Sequence, residues 1–562
     1  MNIIDLGKRL GLSDEDLIPY GWDKAKIDVK DKGKLNKKGR LVLVTAITPT
    51  KAGEGKTTTT IGLHDGLRSI GVNSLAVLRE PSLGPVFGVK GGAVGALKST
   101  IVPSDDINLH FTGDFHALTS TINLIAAMTE NHVWQGNELN IDPAKIVWPR
   151  ALDMNDRSLR EIWVNAAGKL PTLKDALRPE SFDDPIAKQE FERNYAHRSE
   201  FVITVASELM AVFCIANDEE DFLDRAEKMI VAYTYDDKPV TVGDLHIRGA
   251  IKKLMAQALK PNLVQTLEEN PVIVHGGPFA NIAHGCNSVI ATKLALSLAD
   301  VVVTEAGFGA DLGAEKFLDI KCQRAGLVPD AIVLVATVRA LKLHGGVPFD
   351  DLGKENLQAL EDGFPNLLRH AQNMAKYGVP VIVAINRFPS DTEAEIEKLK
   401  ELCEDAGFPR VKVNEAAIKG SEGSKDLAKE LMDVLDAEGA HLPGYENEFK
   451  PLYSIGDPKF GIKKKIETIC REIYRAERVE YSELAEKQIA DYEKRGYGGF
   501  AVCVAKTPNS FTDDPKILNA PVNFTMHVRE VRLSAGAGFI VPLTGSVMTM
   551  PGLPKRPLAE RM

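Results

Sequence analysis

The sequence predicts an α/β fold: a large P-loop NTPase-like core with a mainly parallel sheet flanked by helices, and a smaller α/β unit towards the C-terminus. Three observations support this fold class. Several short β-branched runs are apolar throughout, which is typical of strands buried on both faces of a parallel sheet. Most of these runs lead into a glycine-rich or polar segment, the first of them before a helix-like stretch. That first run precedes a phosphate-binding pattern.

The elements follow in chain order. Predicted core strands are Leu41–Thr45, Ser74–Leu78, Val272–Val274, Val301–Val303, Ile332–Val335 and Val381–Ile385. Predicted core helices are Lys56–Ile70, Leu357–Tyr377 and Thr392–Cys403. Gly461–Arg495 is charged and periodic and predicts helices, followed by strands at Phe500–Lys506 and Asn523–Leu533. Because ligands of open α/β sheets bind beyond the carboxyl ends of the strands, we expect one large crevice there.

These elements suggest a division into four parts. We expect an N-terminal helical and basic arm over residues 1–40, and a nucleotide-binding and catalytic core over 41–390 that could hold two subdomains. Residues 391–445 would form an α/β segment that completes one side of this crevice, and 446–562 would form the C-terminal α/β domain.

Composition narrows the classes of protein. The chain has 562 residues, 44% hydrophobic and 26% charged, which is typical of a soluble globular protein. Its net charge of −10 gives no reason to expect a nucleic-acid or membrane partner. The basic stretch from Lys24 to Arg40 lacks interleaved aromatic residues and is interpreted as a solvated face or arm.

Targeting and thiol patterns point to the cytoplasm. The six cysteines lack the spacing of a zinc site and are too sparse for a disulfide framework. Residues 1–12 lack the pattern of a signal peptide, and apolar runs such as Ala331–Val335 are far too short to span a membrane. We therefore expect a soluble, cytoplasmic protein.

The most specific local pattern is a phosphate loop. Thr50, Lys51, Ala52, Gly53, Glu54, Gly55, Lys56, Thr57 and Thr58 stand between the first strand and its helix. Glycines let backbone N–H groups surround a triphosphate, and the helix N-terminus favours its negative charge. Lys56 is placed to meet the β- and γ-phosphates, and Thr57 to ligate Mg²⁺ through its hydroxyl. Position 50 is threonine where the strict pattern has glycine, so the variant K-x-G-x-G-K-T applies, with Lys51 as a second cation.

This loop alone indicates only a nucleotide. A kinase, a GTPase, a regulatory ATPase and an ATP-driven ligase all stay open at this point. Asn386-Arg387-Phe388-Pro389 lacks the residues that read guanine, which disfavours a GTPase. The length disfavours a regulatory partition-type ATPase, which needs only about half of it.

Two further segments carry polar chemistry. Arg79 and Glu80 follow the second strand, where the planar guanidinium could hold a carboxylate or an acyl phosphate through two parallel bonds. A structural salt bridge of Arg79 is the alternative. His110, Asp114 and His116 have a spacing that suggests a metal, but a hydrogen-bonded polar network lining the cleft is the favoured interpretation.

Taken together, several motifs resemble formate–tetrahydrofolate ligase, also called formyltetrahydrofolate synthetase. They occur in family order and at family length: TPTKAGEGKTTTT (48–60), REPSLGP (79–85), GVKGGA (88–93), DINLHFTGDFHA (106–117), TEAGFGADLGAEKF (304–317), VATVRALKLHGG (335–346) and VAINRFPSDT (383–392). The resemblance implies ATP-dependent ligation of formate to tetrahydrofolate, giving 10-formyltetrahydrofolate, ADP and phosphate through formyl phosphate. It also implies a homotetramer and activation by a monovalent cation, K⁺ or NH₄⁺.

The resemblance also implies roles for residues. Lys56 and the loop would hold ATP with Mg²⁺, Arg79 would grip formate and formyl phosphate, and Glu80 would orient substrate or accept a proton. Phe308, Phe388 and Pro389 match the family positions that form the flat slot for the pterin ring. For either phenylalanine taken alone, core packing is the simpler interpretation.

The sequence departs from the family pattern at two places. After GVKGGA the family usually continues Ala-Gly-Gly-Gly-Tyr, whereas this chain has Val94-Gly95-Ala96-Leu97-Lys98. The family's folate-stacking tryptophan is missing near Ala417, a loss of about 1–3 kcal/mol by analogy with base stacking. Two alternatives therefore stay open: a carboxylate-activating enzyme with another acceptor, and an ATP-gated binding module. Retention of Arg79 argues against the second alternative.

Overall fold

A long mixed sheet organises the molecule. The structure is a computed structural model that describes residues 1–30, 38–51, 53–90, 94–165, 185–280, 282–437, 448–457, 460–545 and 547–561. The strands of the main sheet are β1 (Leu17–Pro19), β2 (Ala25–Ile27), β3 (Arg40–Ala46), β4 (Ser74–Leu78), β5 (Gly95–Ala96), β6 (Ser99–Val102), β14 (Asn262–Thr266), β15 (Pro271–Val274), β16 (Val301–Glu305), β17 (Ala331–Ala336), β18 (Val381–Asn386) and β19 (Val411–Asn414). They lie in the order β1-β2-β14-β15-β4-β16-β3-β17-β18-β19, with β6 paired to β14 and β5 paired to β6.

Strand direction separates the sheet into two parts. From β15 to β19 in sheet order, all neighbouring strands are parallel. The pairs β1–β2, β2–β14, β14–β15, β14–β6 and β5–β6 are antiparallel. The sheet is thus mixed but mainly parallel, and the carboxyl ends of its parallel strands share one edge.

The remaining strands form small sheets. In the middle of the chain these are β7 (Ile141–Ile146), β8 (Arg150–Ala151), β9 (Ile162–Val164), β10 (His197–Ser199), β11 (Phe201–Val202), β12 (Ile230–Thr234) and β13 (Pro239–Thr241). Near the C-terminus, β20 (Arg478–Tyr481), β22 (Thr525–Ser534), β23 (Phe539–Thr544) and β21 (Ala501–Val502) form a four-stranded sheet in that order.

Helices cover the sheets. They are α1 (Ile3–Lys8), α2 (Lys56–Ser69), α3 (Leu83–Pro85), α4 (Ser104–Asn108), α5 (Asp114–Trp134), α6 (Pro185–Asn194), α7 (Glu208–Ile215), α8 (Glu219–Glu227), α9 (Arg248–Met255), α10 (Val289–Leu298), α11 (Gln323–Ala325), α12 (Val338–His344), α13 (Leu357–Ala375), α14 (Glu393–Asp405), α15 (Ala416–Lys419), α16 (Lys425–Ala437), α17 (Ile462–Ile469) and α18 (Glu483–Lys494). Helical turns of π type occupy Val86–Lys90, Ala310–Ala314, Phe317–Cys322 and Cys470–Tyr474. None of the helices in the described part of the chain is both long enough and apolar enough to cross a bilayer.

Both faces of the parallel strands are buried, as their unbroken apolar runs predict. In β3, Leu41 and Leu43 pack into one hydrophobic cluster while Val42 and Val44 pack into another. Successive side chains of a strand point to opposite faces, so the two clusters lie on opposite sides of the sheet. All six predicted core strands and the three predicted core helices are present with small shifts at their ends.

The sequence prediction was incomplete outside this core. Gly461–Arg495 contains the strand β20 between helices, and only Ala501 and Val502 of the predicted strand Phe500–Lys506 form one. The first 30 residues contribute β1 and β2 to the main sheet. The four-part division of the chain stays a prediction.

The interpretation of the basic stretch as a solvated face was wrong for Lys26. Its side chain is fully buried and donates a 2.5 Å hydrogen bond to Asp114. Burying an unpaired ammonium would be very costly, and the adjacent carboxylate offsets that cost. Residues 31–37 of the stretch lie outside the described residues.

Candidate functional site

The polar loops meet at the carboxyl edge of the parallel strands. In sheet order, β4 ends before Arg79, β16 before the Phe308 loop, β3 before the phosphate loop, and β18 before Phe388. The segments that were predicted to line a crevice therefore lie along one edge of the sheet, with the glycine-rich loop near its middle.

The phosphate loop ends in a left-handed glycine. Gly53 and Gly55 have φ values of 78° and 74°, a conformation that costs glycine little and other residues more. Gly55 caps α2, whose first residue is the half-buried Lys56. A Cβ atom at position 55 would lie 2.3 Å from Asn386 Nδ2, so only glycine fits there without displacing that amide.

Neighbouring strand ends brace this loop. The buried carboxylate of Glu54 accepts a 2.6 Å hydrogen bond from the Thr50 N–H and another from the Thr337 hydroxyl. Asn386 Nδ2 donates to the Glu54 carbonyl at 3.1 Å. The Glu54 side chain thus fixes the loop's shape from within. Lys51 is exposed, Thr50 and Thr58 are buried, and Ala52 lies outside the described residues.

Glu305 connects the phosphate loop to Arg79. The Thr57 hydroxyl donates a 2.8 Å hydrogen bond to Glu305 Oε2, and Arg79 Nε lies 3.7 Å from Glu305 Oε1. Arg79 also donates to the Pro278 carbonyl at 3.3 Å, and its side chain keeps 23% of its surface exposed. A hydroxyl and a carboxylate are oxygen ligands of the kind that Mg²⁺ prefers. The donor set around Thr57 therefore fits a magnesium ion.

Glu80 lies deeper than Arg79. It is 5% exposed, and burial, together with the nearby charge of Asp114, raises its pKa well above the usual range of a carboxyl. Asp114 in turn accepts from Lys26 Nζ and, at 2.8 Å, from Asn262 Nδ2. The geometry makes Glu80 a buried acid that favours its protonated form.

The spacing of His110, Asp114 and His116 does not form a metal site. Asp114 is buried in the network just described, whereas both histidines are exposed. Within the described ranges, no group of three histidine, cysteine or acidic residues could hold a metal ion. Asp114 belongs to a polar network with Lys26 and Asn262, whereas a network that includes the two histidines stays a prediction.

Phe308 and Phe388 flank the phosphate loop in strand order. Phe308 follows β16 and has a φ of 57°, which is strained for a bulky side chain. Such outliers cluster at ligand sites, where the surrounding structure compensates their cost. Phe388 and Asp391 form a tight turn, since the Phe388 N–H donates to the Asp391 carboxylate at 2.8 Å. Phe388 is half-buried and Pro389 is exposed, so the edge of this turn is open to a ligand.

The two departures from the family pattern meet in space. The Lys98 N–H, in the β5–β6 hairpin, donates to the Ala417 carbonyl at 3.0 Å. Leu97 and Ile418, beside these two residues, are 72% and 45% exposed. The altered hairpin and the loop without tryptophan therefore form one surface, whose exposed apolar side chains are aliphatic. Residues 91–93, the end of GVKGGA, lie outside the described residues.

Sequence reasoning missed three residues of this edge. Glu305 and Arg339 stood inside quoted motifs without an assigned role, and Asn386 was examined only as part of a guanine-reading pattern. An acid at the end of an apolar strand was the available signal for Glu305. Arg339 and Asn386 also follow apolar strands, but their contacts with Gly53 and Glu54 were not predictable, because those partners lie far away in the chain.

The fold and the site describe an α/β protein with a glycine-rich loop, an acid and an arginine at one edge of a mainly parallel sheet. The comparisons with known proteins specify the family. The family model for formate–tetrahydrofolate ligase matches residues 1–562. A formate–tetrahydrofolate ligase of Bartonella tribocorum (strain CIP 105476 / IBS 506) is 51% identical over 563 aligned residues, covering 100% of this chain and 95% of the relative.

The chain belongs to the formate–tetrahydrofolate ligase family. Its activity is the ATP-dependent ligation of formate to tetrahydrofolate, a C–N bond-forming reaction of one-carbon metabolism.

Proposed function

We propose that this chain performs the ligation in two steps at the edge between Arg79 and Phe388, with formyl phosphate between them. A formate oxygen attacks the γ-phosphorus of ATP, and the bond to the ADP oxygen breaks. The N10 amine of tetrahydrofolate then attacks the formyl carbon, the bond from carbon to the phosphate oxygen breaks, and the amine loses a proton. The observation that carries the proposal is the Thr57–Glu305–Arg79 chain of contacts, which puts a phosphate loop beside an arginine.

In the first step, charge neutralisation and positioning do most of the work, as in phosphoryl transfer generally. The core is of the P-loop NTPase-like kind, a proposal supported by Gly55 at the start of α2 and by the strand that precedes the loop. Lys56 and the backbone N–H groups of Gly53–Thr58 hold the triphosphate. Thr57 and Glu305 would hold Mg²⁺, which shields the phosphate charge when bound.

Arg79 holds formate and then formyl phosphate. Its guanidinium can present two parallel N–H groups to a carboxylate or a phosphate. The open face of its side chain supports this role, and Glu305 keeps it at the edge of the loop. Glu80, as a neutral acid, donates a hydrogen bond to substrate or relays the amine proton.

On the folate side, Phe308, Phe388 and Pro389 form the slot for the pterin ring. Stacking on aromatic side chains is the usual way to bind a flat heterocycle. The strained backbone of Phe308 and the open turn at Pro389 support this assignment.

Other features rest on the sequence alone. Assembly as a homotetramer and activation by K⁺ or NH₄⁺ are implied by the family resemblance. A cytoplasmic location and the absence of nucleic-acid and membrane partners are proposed from the targeting, cysteine and charge patterns. Sedimentation of the purified protein and activity in K⁺ against Na⁺ buffers would test the first two.

Formate labelled with ¹⁸O tests the two-step reaction. If a formate oxygen attacks the γ-phosphorus, one ¹⁸O atom per turnover appears in the released phosphate. ADP release should also stop when ATP or formate is omitted, and 10-formyltetrahydrofolate should form only when tetrahydrofolate is present. Unlabelled phosphate in the complete reaction would exclude formyl phosphate as the intermediate.

A further inference from the structure

Arg339 stands between the nucleotide side and the folate side of the crevice. It is the second residue of α12, which follows β17. In the sheet, β17 lies between β3, which leads into the phosphate loop, and β18, which leads into the Phe388 turn. A side chain at this strand end can therefore reach both loops.

One contact of Arg339 is to the phosphate loop. Its Nη2 donates a hydrogen bond to the carbonyl oxygen of Gly53, the glycine with a φ of 78°. The residue before α12, Thr337, also donates to Glu54 of the same loop. The start of α12 thus holds the loop at two neighbouring residues.

The other contact is to the proposed pterin slot. The guanidinium carbon of Arg339 lies 3.8 Å from the centroid of the Phe388 ring. At this distance the planar cation stacks on the ring face, an attractive cation–π arrangement. One face of Phe388 is therefore taken by Arg339, and a flat ligand has only the opposite face for stacking.

We infer that Arg339 is a positioning residue that couples nucleotide binding to tetrahydrofolate binding. The planar guanidinium is rigid, so its hydrogen bond to Gly53 and its stack on Phe388 cannot be adjusted independently. A change of the phosphate loop on loading with a triphosphate shifts or stiffens Arg339, and with it the ring that the pterin meets. Coupling of this kind is reciprocal: each ligand changes the affinity for the other by the same factor.

The inference rests on the proposed function, because Phe388 must face tetrahydrofolate. It goes further by assigning the link between the two half-sites to a single side chain. If Arg339 only stabilised the fold, replacing it would lower the thermal stability and the affinity for both ligands. It would not change the factor by which each ligand alters the affinity for the other.

Calorimetric titration of the full-length protein tests the coupling. The probes are a non-hydrolysable ATP analogue with Mg²⁺, and tetrahydrofolate without formate, each titrated alone and in the presence of the other. For the unaltered chain we expect each ligand to change the Kd of the other by roughly fivefold or more, a typical size for such coupling. Arg339→Met removes the charge and the donors, and Arg339→Lys keeps the charge without the planar fork. Both should bring this factor to within about twofold of one.

Arg387 supplies the matched control. It precedes Phe388 directly, but its guanidinium pairs with Glu393 at 3.0 Å and lies 3.9 Å from Glu415. Arg387→Met and Arg387→Lys should keep the coupling factor of the unaltered chain. Circular dichroism and the thermal midpoint show whether each variant is folded, and Arg339→Lys serves if Arg339→Met is not.

The outcomes separate the inference from the proposed function. If the unaltered chain does not bind tetrahydrofolate, the proposed function and the coupling by Arg339 are both overturned. If it binds both ligands without coupling, or if both folded Arg339 variants keep the coupling, only the inference is overturned. Equal loss of coupling in the Arg387 variants would overturn it as well, since the effect would not belong to Arg339.

Discussion

The hydroxyl of Thr57 donates a 2.8 Å hydrogen bond to the carboxylate of Glu305, which stands at the end of the neighbouring parallel strand. The two residues are 248 positions apart in the chain. The same carboxylate lies 3.7 Å from Arg79. An acid in this place holds the loop's hydroxyl and Arg79 in one arrangement. In the proposed site it would contribute negative charge towards a magnesium ion.

Lys56→Ala should remove turnover while leaving the fold intact. The lysine begins α2 at the phosphate loop and not in the core, so its loss should reduce ATP-dependent turnover by at least about a hundredfold. Steady-state assays measure the rate, and the thermal midpoint measures folding. Lys51→Ala, at an exposed position of the same loop, is the control and should lose much less activity. Near-normal activity of Lys56→Ala would refute the phosphate-loop assignment.

Glu305→Gln should raise the Mg²⁺ concentration that the reaction requires. Replacing the carboxylate by an amide removes the charge beside Thr57, and we expect the Mg²⁺ concentration at half-maximal rate to rise by about tenfold or more. Glu54→Gln is the matched control, because its carboxylate braces the loop through Thr50 and Thr337. That variant should weaken ATP binding without a comparable change in Mg²⁺ dependence. The same Mg²⁺ titration in both variants would argue against Glu305 as a ligand.

Arg79→Ala should impair formate use more than nucleotide binding. Leaving an anion unpaired in a site without water costs about 3–5 kcal/mol. Because Arg79 is partly exposed, we expect a cost near the lower end of this range. That cost corresponds to a decrease of about a hundredfold in kcat/KM for formate. Arg79→Lys should rescue little, because an ammonium lacks the planar fork. Equilibrium binding of ATP should change little in either variant. Unchanged formate kinetics would refute the assignment of Arg79 to formate binding, and so would equal losses of ATP binding and turnover.

Ala417→Trp should improve tetrahydrofolate binding. Ala417 is half-buried, three residues past β19, and β19 pairs in register with the strand that leads to Phe388. An added aromatic face is worth about 1–3 kcal/mol by analogy with base stacking, so KM for tetrahydrofolate should fall several-fold. Ile418→Trp adds the same ring one position along the helix, pointing about 100° away, and should not lower KM. A KM that is unchanged or raised in Ala417→Trp would place the folate elsewhere.

Asp65→Asn should make the protein's stability less sensitive to pH. Burial raises the pKa of Asp65 to about 7, while its Oδ1 accepts from Thr266 and Asn270 at 2.8 and 2.7 Å. The folded state therefore keeps a proton that the unfolded chain releases near pH 4. Between about pH 4 and 7, the contribution of Asp65 to the free energy of unfolding falls by about 1.4 kcal/mol per pH unit. The difference between the thermal midpoint of Asp65→Asn and that of the unaltered chain should increase steadily from pH 4.5 to 7 and then level off. Asp405→Asn, at an exposed position, should show no such trend.

The sequence by itself determined the elements that carry a local pattern. Leu41–Thr45 and Ser74–Leu78 are apolar throughout because both faces of their strands are buried, and that burial is written in consecutive residues. The glycines and the Lys56-Thr57 pair stand within a few positions of one another, so the phosphate loop was visible without a structure. Strands of two or three residues, such as β8 and β11, escaped prediction because such short segments carry no periodicity.

Only the tertiary structure decided which side chains meet. The order of strands in the sheet brings Glu305 to Thr57 and Arg339 to Gly53, across separations of 248 and 286 residues. It also buries Lys26 against Asp114 and joins Lys98 to Ala417. A strand's apolar pattern shows that it is buried but not which strand pairs with it, because hydrogen bonds along a parallel sheet are made by backbone groups that every residue shares. The contacts at the strand ends therefore follow from the pairing of distant segments, which local sequence does not encode.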